Sequence, residues 1–228
     1  MFLGKNLKAL AMDLLQILGI TGTLLLWNLF VIHYPKKWIY HFVTRYKDIP
    51  AAYIGRKVVH IFSGGVTAVF ISFFYEGYYE LVVASAFGLA FYLLFRRRYK
   101  PMYWFQTKKN LYEVHFAFAY GTILLCSVLL QNLLVGLIPL FFMSFGDSAT
   151  GLIRAVTQKR HVKSWEGSLA MLTICAIIGC IFLGFYGLLI GIAATFVEKI
   201  PGIDDNITIP MLTGTLVYMQ FSFCDFNY

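Results

Sequence analysis

"LAMLTICAIIGCIFLGFYGLLIGIAATFV", residues 169–197, contains no charged side chain. About 20 predominantly apolar residues in a row are needed for a helix to cross the hydrocarbon core of a bilayer. The stretch reads as parts of two helices, 167–183 and 184–199, joined by an almost uncharged turn near Gly184. Working outward, apolar runs recur at 9–33, 57–75, 78–95, 114–131, 132–153 and 207–222. The runs are continuous rather than alternating, which excludes a transmembrane β-barrel. The expected fold is all-α, a polytopic transmembrane helix bundle of about seven to eight spans. No linker or low-complexity tract divides the chain, so residues 1–228 read as a single integral-membrane domain.

Composition agrees. Of the 228 residues 59% are hydrophobic and only 13% charged, against about 25% charged in soluble domains; the mean hydropathy is +0.71. The formal charge of +8 does not signal nucleic acid, because the cations sit in short loops between apolar runs. "HYPKKWIYHFVTRYKDIPAAYIGRK", "RRRYKPMYWFQTKKN" and "RAVTQKRHVKSWEG" are basic, whereas "YEGYYE" has no lysine or arginine. Alternation of basic and non-basic loops puts loops one, three and five on the cytoplasmic side. Both termini are then expected outside and "EKIPGIDDN" inside, against the minor opposition of Lys5 and Lys8. The first apolar run is too long for the core of a signal peptide and reads as the first span. The four cysteines, Cys126, Cys175, Cys180 and Cys224, show no metal or redox spacing and read as small buried hydrophobes.

The first basic loop interleaves Trp38, Tyr40, Phe42 and Tyr46 with Lys36, Lys37, Arg45 and Lys47. Rings and cations in that mix suit a segment touching anionic lipid headgroups at the cytoplasmic face.

The polar residues collect at one level of this topology. Arg56, Lys57 and His60 open the second span; Asn110, Glu113 and His115 open the fourth. Asp147 lies in the fifth, with Arg154 two turns beyond; Lys163, Glu166, Gly167 and Ser168 precede or open the sixth. Glu198, Asp204, Asp205 and Asn206 lie between the seventh and eighth. Ionisable groups at membrane depth are costly and usually face a bundle interior or a watery cavity. Arg56, Lys57, Arg154 and Lys159 also suit simple anchoring at the interface, and Glu113 suits a helix-surface pair with Lys109. Asp147 has no basic neighbour one turn away at 143, 144, 150 or 151, so a local partner does not explain it.

Two further patterns suggest chemistry. Gly167 and Ser168 stand where a helix start offers free N–H groups to a phosphate, with Lys163 adding charge; a plain helix cap is the alternative. Asp147, Glu198, Asp205 and Asn206 together resemble a hard-cation site for Mg²⁺ completed by substrate phosphates. Cations, carboxylates and a helix N-terminus on one face are the parts that phosphoryl transfer needs. Either Glu113 or His60 is a candidate to take a proton from an acceptor hydroxyl.

"GRKVVHIFSGG", "FGDSATGLIR", "KSWEGSLAM" and "DDNITIP" occur in the order seen in the membrane family of polyprenol, dolichol, phytol and diacylglycerol kinases, which the chain resembles over about residues 55–215. The family is distantly related to the phosphatidate cytidylyltransferases. The resemblance implies a transferase that moves the γ-phosphate of CTP onto the hydroxyl of a membrane-embedded lipid alcohol, with a divalent metal such as magnesium. Carried over, Arg56, Lys57 and His60 match an Arg-Lys-x-x-His element, and Gly146 and Asp147 a Gly-Asp element. Lys163, Glu166 and Gly167 match part of the CTP pattern; Asp205, Asn206 and Pro210 match Asp-Asn-x-Thr-x-Pro. Arg154 stands where the family pattern has a glycine.

The expected site is therefore catalytic at Asp147, Glu113, His60 and Lys57. Nucleotide binding falls to Arg56, Lys57, Arg154, Lys163, Glu166, Gly167 and Ser168, and the metal to Asp147, Glu198, Asp205 and Asn206. A cytidylyltransferase making a CDP-lipid is the nearest alternative; a transporter of small anions or protons is the alternative from another class.

Overall fold

A computed structural model of the chain describes residues 2–45, 51–74, 80–157 and 163–225. Tyr46, Lys47, the "YEGYY" stretch, Lys159 and most of "TQKRH" lie outside the described residues, so the expectations placed on them are not addressed. Among the described residues the chain is all-helical, without a strand. Helix α1 (Phe2–His33) is followed by α2 (Lys36–Arg45). Next, α3 (Ala51–Val59) runs through a π-helical segment, His60–Gly65, into α4 (Val66–Phe74). Helices α5 (Glu80–Tyr99) and α6 (Tyr112–Leu129) pack side by side. Helix α7 (Leu133–Phe141) continues through a second π segment, Phe142–Gly146, into α8 (Asp147–Thr157). The chain closes with α9 (Trp165–Lys199) and α10 (Asp205–Asp225).

Among the described residues five helical stretches are long and apolar enough to cross a membrane: Leu14–His41, Ala51–Phe73, Tyr112–Leu129, Leu133–Thr157 and Trp165–Lys199. Helices α5 and α10, expected as spans at 78–95 and 207–222, are present but less apolar and fall outside this set. The surface agrees with a lipid environment, with Phe73, Leu129, Ile181, Phe185 and Phe196 all largely exposed.

The opening stretch of sequence folds as its turn residue dictates. Helix α9 is broken at Gly184, whose φ of 57° and ψ of −133° suit a residue with no Cβ. The chain folds back there. A Cβ on Gly179 would strike the backbone of Gly187, one on Gly187 the backbone of Gly179, and one on Gly191 the backbone of Cys175 and Ala176. Residues 165–183 and 185–199 are thus two antiparallel arms in backbone contact, close enough only because small residues line the seam. This brings Lys199 over the Trp165 ring, 2.8 Å from its centroid, and Lys163 Nζ onto the carbonyls of Glu198 and Ile200.

Corners elsewhere have equally local causes. Between α6 and α7, Gln131 takes φ 51° and Asn132 caps α7 by accepting from Leu134 N–H at 3.0 Å. Pro139 removes an N–H from α7 just before the ladder widens into the second π segment, the kind of disturbance a helix proline introduces. The two π segments face each other: a Cβ on Gly64 would lie 2.7 Å from Ser144 Oγ, and one on Gly65 would strike the Phe145 ring. The core between them and α6 is built of Ala68, Ile71, Phe116, Ile123, Leu124, Leu140 and Met143. π turns inside α-helices are found frequently at functional sites, and here one precedes Asp147 directly while the other begins at His60.

Candidate functional site

The helix starts and loops at one end of the bundle enclose a polar cavity of about 680 Å³. It is lined by Tyr53, Arg56, Lys57 and His60 from the α3 side, Tyr112 and His115 from α6, and Asp147 at the start of α8. Lys163, Lys199 and the α9–α10 connection from Pro201 to Asn206 close it. Sequence reasoning placed Arg56, Lys57, His60, Asp147, Lys163, Asp205 and Asn206 in one site, and the fold brings all seven to one cavity.

Asp147 is 6% exposed and Lys57 8%; Lys57 Nζ donates to Asp147 Oδ2 at 2.6 Å. His60 Nδ1 lies 3.4 Å from the same oxygen, its ring stacked on Phe116 with centroids 3.9 Å apart. The partner that Asp147 lacks within its own helix is thus supplied from ninety positions away in sequence. Lys57 reaches it by lying across Gly151, where an added Cβ would come within 3.0 Å of Lys57 Cδ and Cγ. Gly151→Ala is therefore expected to push Lys57 off Asp147, costing about 1–3 kcal/mol as overpacking does. Thermal unfolding in detergent checks this, and an unchanged midpoint would show that the lysine stem yields without loss.

The second half of the cavity is held by the α9–α10 connection. Asp204 caps α10 by accepting from Asn206 N–H at 3.0 Å, and its other oxygen meets His115 Nδ1. Lys163 Nζ reaches Asp205 at 3.2 Å. Burial, with the negative charge of Asp147 beside it, pushes the Asp205 carboxyl up to about 7 in spite of Lys163. Arg56 is flanked by two rings, Tyr112 at 4.9 Å and Tyr53 at 5.9 Å from the guanidinium carbon, contacts that hold a cation without neutralising it.

Several expected site residues fall elsewhere. Arg154 does not line the cavity; it is 4% exposed and donates to Glu198 Oε1 at 2.7 Å, while Glu198 is fully buried. Arg154 thus supplies a buried ion pair rather than a nucleotide contact, and this takes Glu198 out of the expected metal set. Gly167 and Ser168 are also buried outside the cavity. Gly167 N–H donates to Ser164 Oγ at 3.2 Å and Ser168 N–H to the Ser164 carbonyl at 3.1 Å. The helix start is already capped, so it offers no free N–H pair at these positions to a phosphate. Glu166 is exposed and lies outside the cavity lining. Glu113 pairs not with Lys109 but with Arg97 of α5, at 3.1 Å, and its second oxygen is buried without a partner. Sequence reasoning missed Tyr53, Tyr112 and Lys199; they belong to elements whose polar neighbours were noticed, but no periodicity shows which way a ring or an amine turns.

Among the described residues no three His, Cys, Asp or Glu side chains cluster as metal ligands, so an all-protein cage is not formed. A magnesium ion needs less, since one or two carboxylates plus substrate oxygens suffice. Asp147 and Asp205 both line the cavity, and the Asn206 Oδ1 acceptor is buried there without a partner. These three fit such an ion.

A second, apolar cavity abuts the first. It runs between α1, α3, α4, α5 and α6, past Leu24, Leu25, Ile32, Leu89, Phe116 and Tyr120, with Glu113 among its few charged groups. Arg56 and His60 line both cavities.

Comparisons with family models, with curated proteins and with solved structures find no match to this chain.

Proposed function

We propose that the protein is a lipid-alcohol kinase that transfers the γ-phosphate of CTP to the hydroxyl of a membrane-embedded prenol, polyprenol or diacylglycerol. The observation that carries this reading is the shared wall: a charged cavity and an apolar one meet at Arg56 and His60. A phosphoryl donor and a lipid acceptor need such neighbouring compartments, one wet and cationic, the other dry. At about 680 Å³ the polar cavity has the size usual for a nucleotide-scale ligand. The choice of CTP comes from the four-motif resemblance. The multi-pass topology, with α5, α10 and both arms of α9 as separate spans and the polar cavity at the cytoplasmic face, belongs to the same proposal.

In this reading Arg56, Lys57, Lys163 and Lys199 neutralise the triphosphate. Asp147, Asp205 and Asn206 would hold Mg²⁺, which when bound supplies charge neutralisation between the transferring phosphates. The hydroxyl end of the lipid enters the apolar cavity, which has room for only about 50 Å³, the rest of the tail remains outside it among lipid, and the hydroxyl reaches the junction. The alcohol oxygen forms a bond to the γ-phosphorus while the bond from that phosphorus to the β–γ bridging oxygen breaks, leaving CDP. The hydroxyl proton passes to His60, which lines both compartments; Glu113, confined to the apolar side, orients the hydroxyl through its unpaired oxygen.

The test uses purified protein in detergent with Mg²⁺ and CTP labelled at the γ or the α phosphorus. Geranylgeraniol, dolichol, diacylglycerol and a phosphorylated lipid, phosphatidic acid, are offered in turn. Label reaching the lipid from the γ position alone is expected. Label from the α position would mean a cytidylyltransferase, and no transfer with any acceptor would favour a transporter. His60→Ala is expected to lower kcat by about 10²–10⁴-fold, the usual range for losing a general base, with little change in the KM for CTP. An unaltered kcat would remove His60 from the proton transfer.

A further inference from the structure

A third cavity, of about 310 Å³, lies where α5 ends; of its lining, Arg97 pairs with Glu113 of the apolar compartment, while Arg98 and Lys108 line neither cavity described above. Arg97, Arg98, Pro101, Tyr103, Thr107 and Lys108 line it. From Arg96 to Asn110 the chain carries six cations and no acid. Among the described residues Arg98 and Lys108, both exposed, have no carboxylate partner.

The connection that carries Lys108 is fixed. Trp104 Nε1 donates to the Ile32 carbonyl at 3.1 Å, and Gln106 bridges Met102 N–H at 2.7 Å and the Leu93 carbonyl at 3.3 Å. Arg97 donates to the Lys108 carbonyl at 2.9 Å and to the Asn110 carbonyl. Arg97 is therefore a positioning residue that anchors the loop, leaving Arg98 and Lys108 to present charge. The backbone that carries Lys108 is thus held next to Arg98, and two neighbouring cations with no carboxylate between them offer charge-assisted hydrogen bonds to a phosphate.

The surroundings identify the anion's source. Phe91, Leu94 and Phe95 are 69%, 44% and 62% exposed. With Arg98 they fall at i, i+3, i+4 and i+7 of α5, a single face of a helix. An apolar stripe thus leads directly to a guanidinium, with the exposed rings of Tyr99 and Tyr103 beside it, as rings sit at a membrane–water interface. We propose that this cavity binds the headgroup phosphate of an anionic glycerophospholipid, its acyl chains lying along Phe91, Leu94 and Phe95. A soluble phosphate would use the cations alone, whereas a phospholipid uses the cations and the adjoining stripe together. The proposal does not rest on the kinase reading, since it concerns different residues and is measured by binding alone.

The experiment is native mass spectrometry of the full chain released from detergent, with phosphatidylglycerol and phosphatidylcholine as competing probes. Preferential phosphatidylglycerol adducts are expected. Arg98→Gln with Lys108→Gln is expected to weaken them by about thirtyfold, the effect of removing two interfacial cations. Lys108→Gln alone should give an intermediate loss and Arg98→Lys should retain most binding, a graded series that a merely misfolded protein would not produce. Affinity within a factor of about two of the parent in the double variant would overturn the proposal. So would displacement of the lipid by millimolar inorganic phosphate, which would make the cavity a soluble-anion site.

Discussion

Asp147→Ala is expected to abolish the proposed phosphoryl transfer and to destabilise the protein by about 3–5 kcal/mol, the cost of breaking a buried ion pair from one side. Removal of the carboxylate leaves the Lys57 ammonium buried with no partner at 2.6 Å. Lys57→Met should cost a similar amount, because Asp147 then keeps only His60 at 3.4 Å. The informative variant is the double one. Asp147→Leu with Lys57→Met replaces the pair by apolar side chains, a change that is often neutral or stabilising, so the unfolding midpoint should recover while transfer stays absent. Recovery of both would reduce the pair to a packing device; activity in Asp147→Ala alone would remove Asp147 from the site.

The second large effect is expected at the seam of α9. Gly187→Val places side-chain atoms against the carbonyl, carbon and Cα of Gly179, and backbone cannot swing aside as a side chain can. The arms must separate, and with them the contacts of Lys163 to the Glu198 and Ile200 carbonyls that close one side of the polar cavity. Loss of a monodisperse folded species in detergent is the expected result. Gly184→Ala should be milder, at about 1–3 kcal/mol for a strained backbone conformation. Gly19→Ala, with open space around the added Cβ, should shift stability by no more than about 0.5 kcal/mol. A stable Gly187→Val protein would contradict the close approach of the two arms.

The sequence made the helices and much of the site legible because both follow from one cost, that of placing charge or bare backbone in lipid. Asp147 was conspicuous since no cation lies one turn away; that its partner is Lys57, ninety positions earlier, is a property of the α3–α8 contact and not of spacing. Arg154 and Glu198 were each assigned to a ligand for the same reason, and the fold assigns them to each other. At Ser164 the local register did carry the answer. A cap that accepts from Gly167 N–H is a short-range event, and it competes directly with the anion site expected there. The directions of His60 and Asp147 were harder to read, because each borders a π segment. One extra residue in a turn rotates all that follows relative to a 3.6-residue repeat, so face assignments extrapolated through "HIFSGG" or "FMSFG" do not hold.

The Lys57–Asp147 pair also bears on how the chain is made. Each charge costs up to about 2.5–3.5 kcal/mol at the centre of an inserting helix and less near an end, where Arg56 and Lys57 stand in Ala51–Phe73. The stretch Ala51–Phe73 has a hydropathy of 1.3, the lowest of the five apolar stretches, whose values reach 2.4. During synthesis it emerges with Lys57 long before Asp147 exists to pair with it. Its residence in the bilayer must then be shallow or shared with the insertion machinery until Leu133–Thr157 arrives. On that account, a cysteine placed within Ala51–Phe73 should react with a membrane-impermeant thiol reagent in a nascent chain truncated before Asp147, and should be protected in one truncated after Thr157.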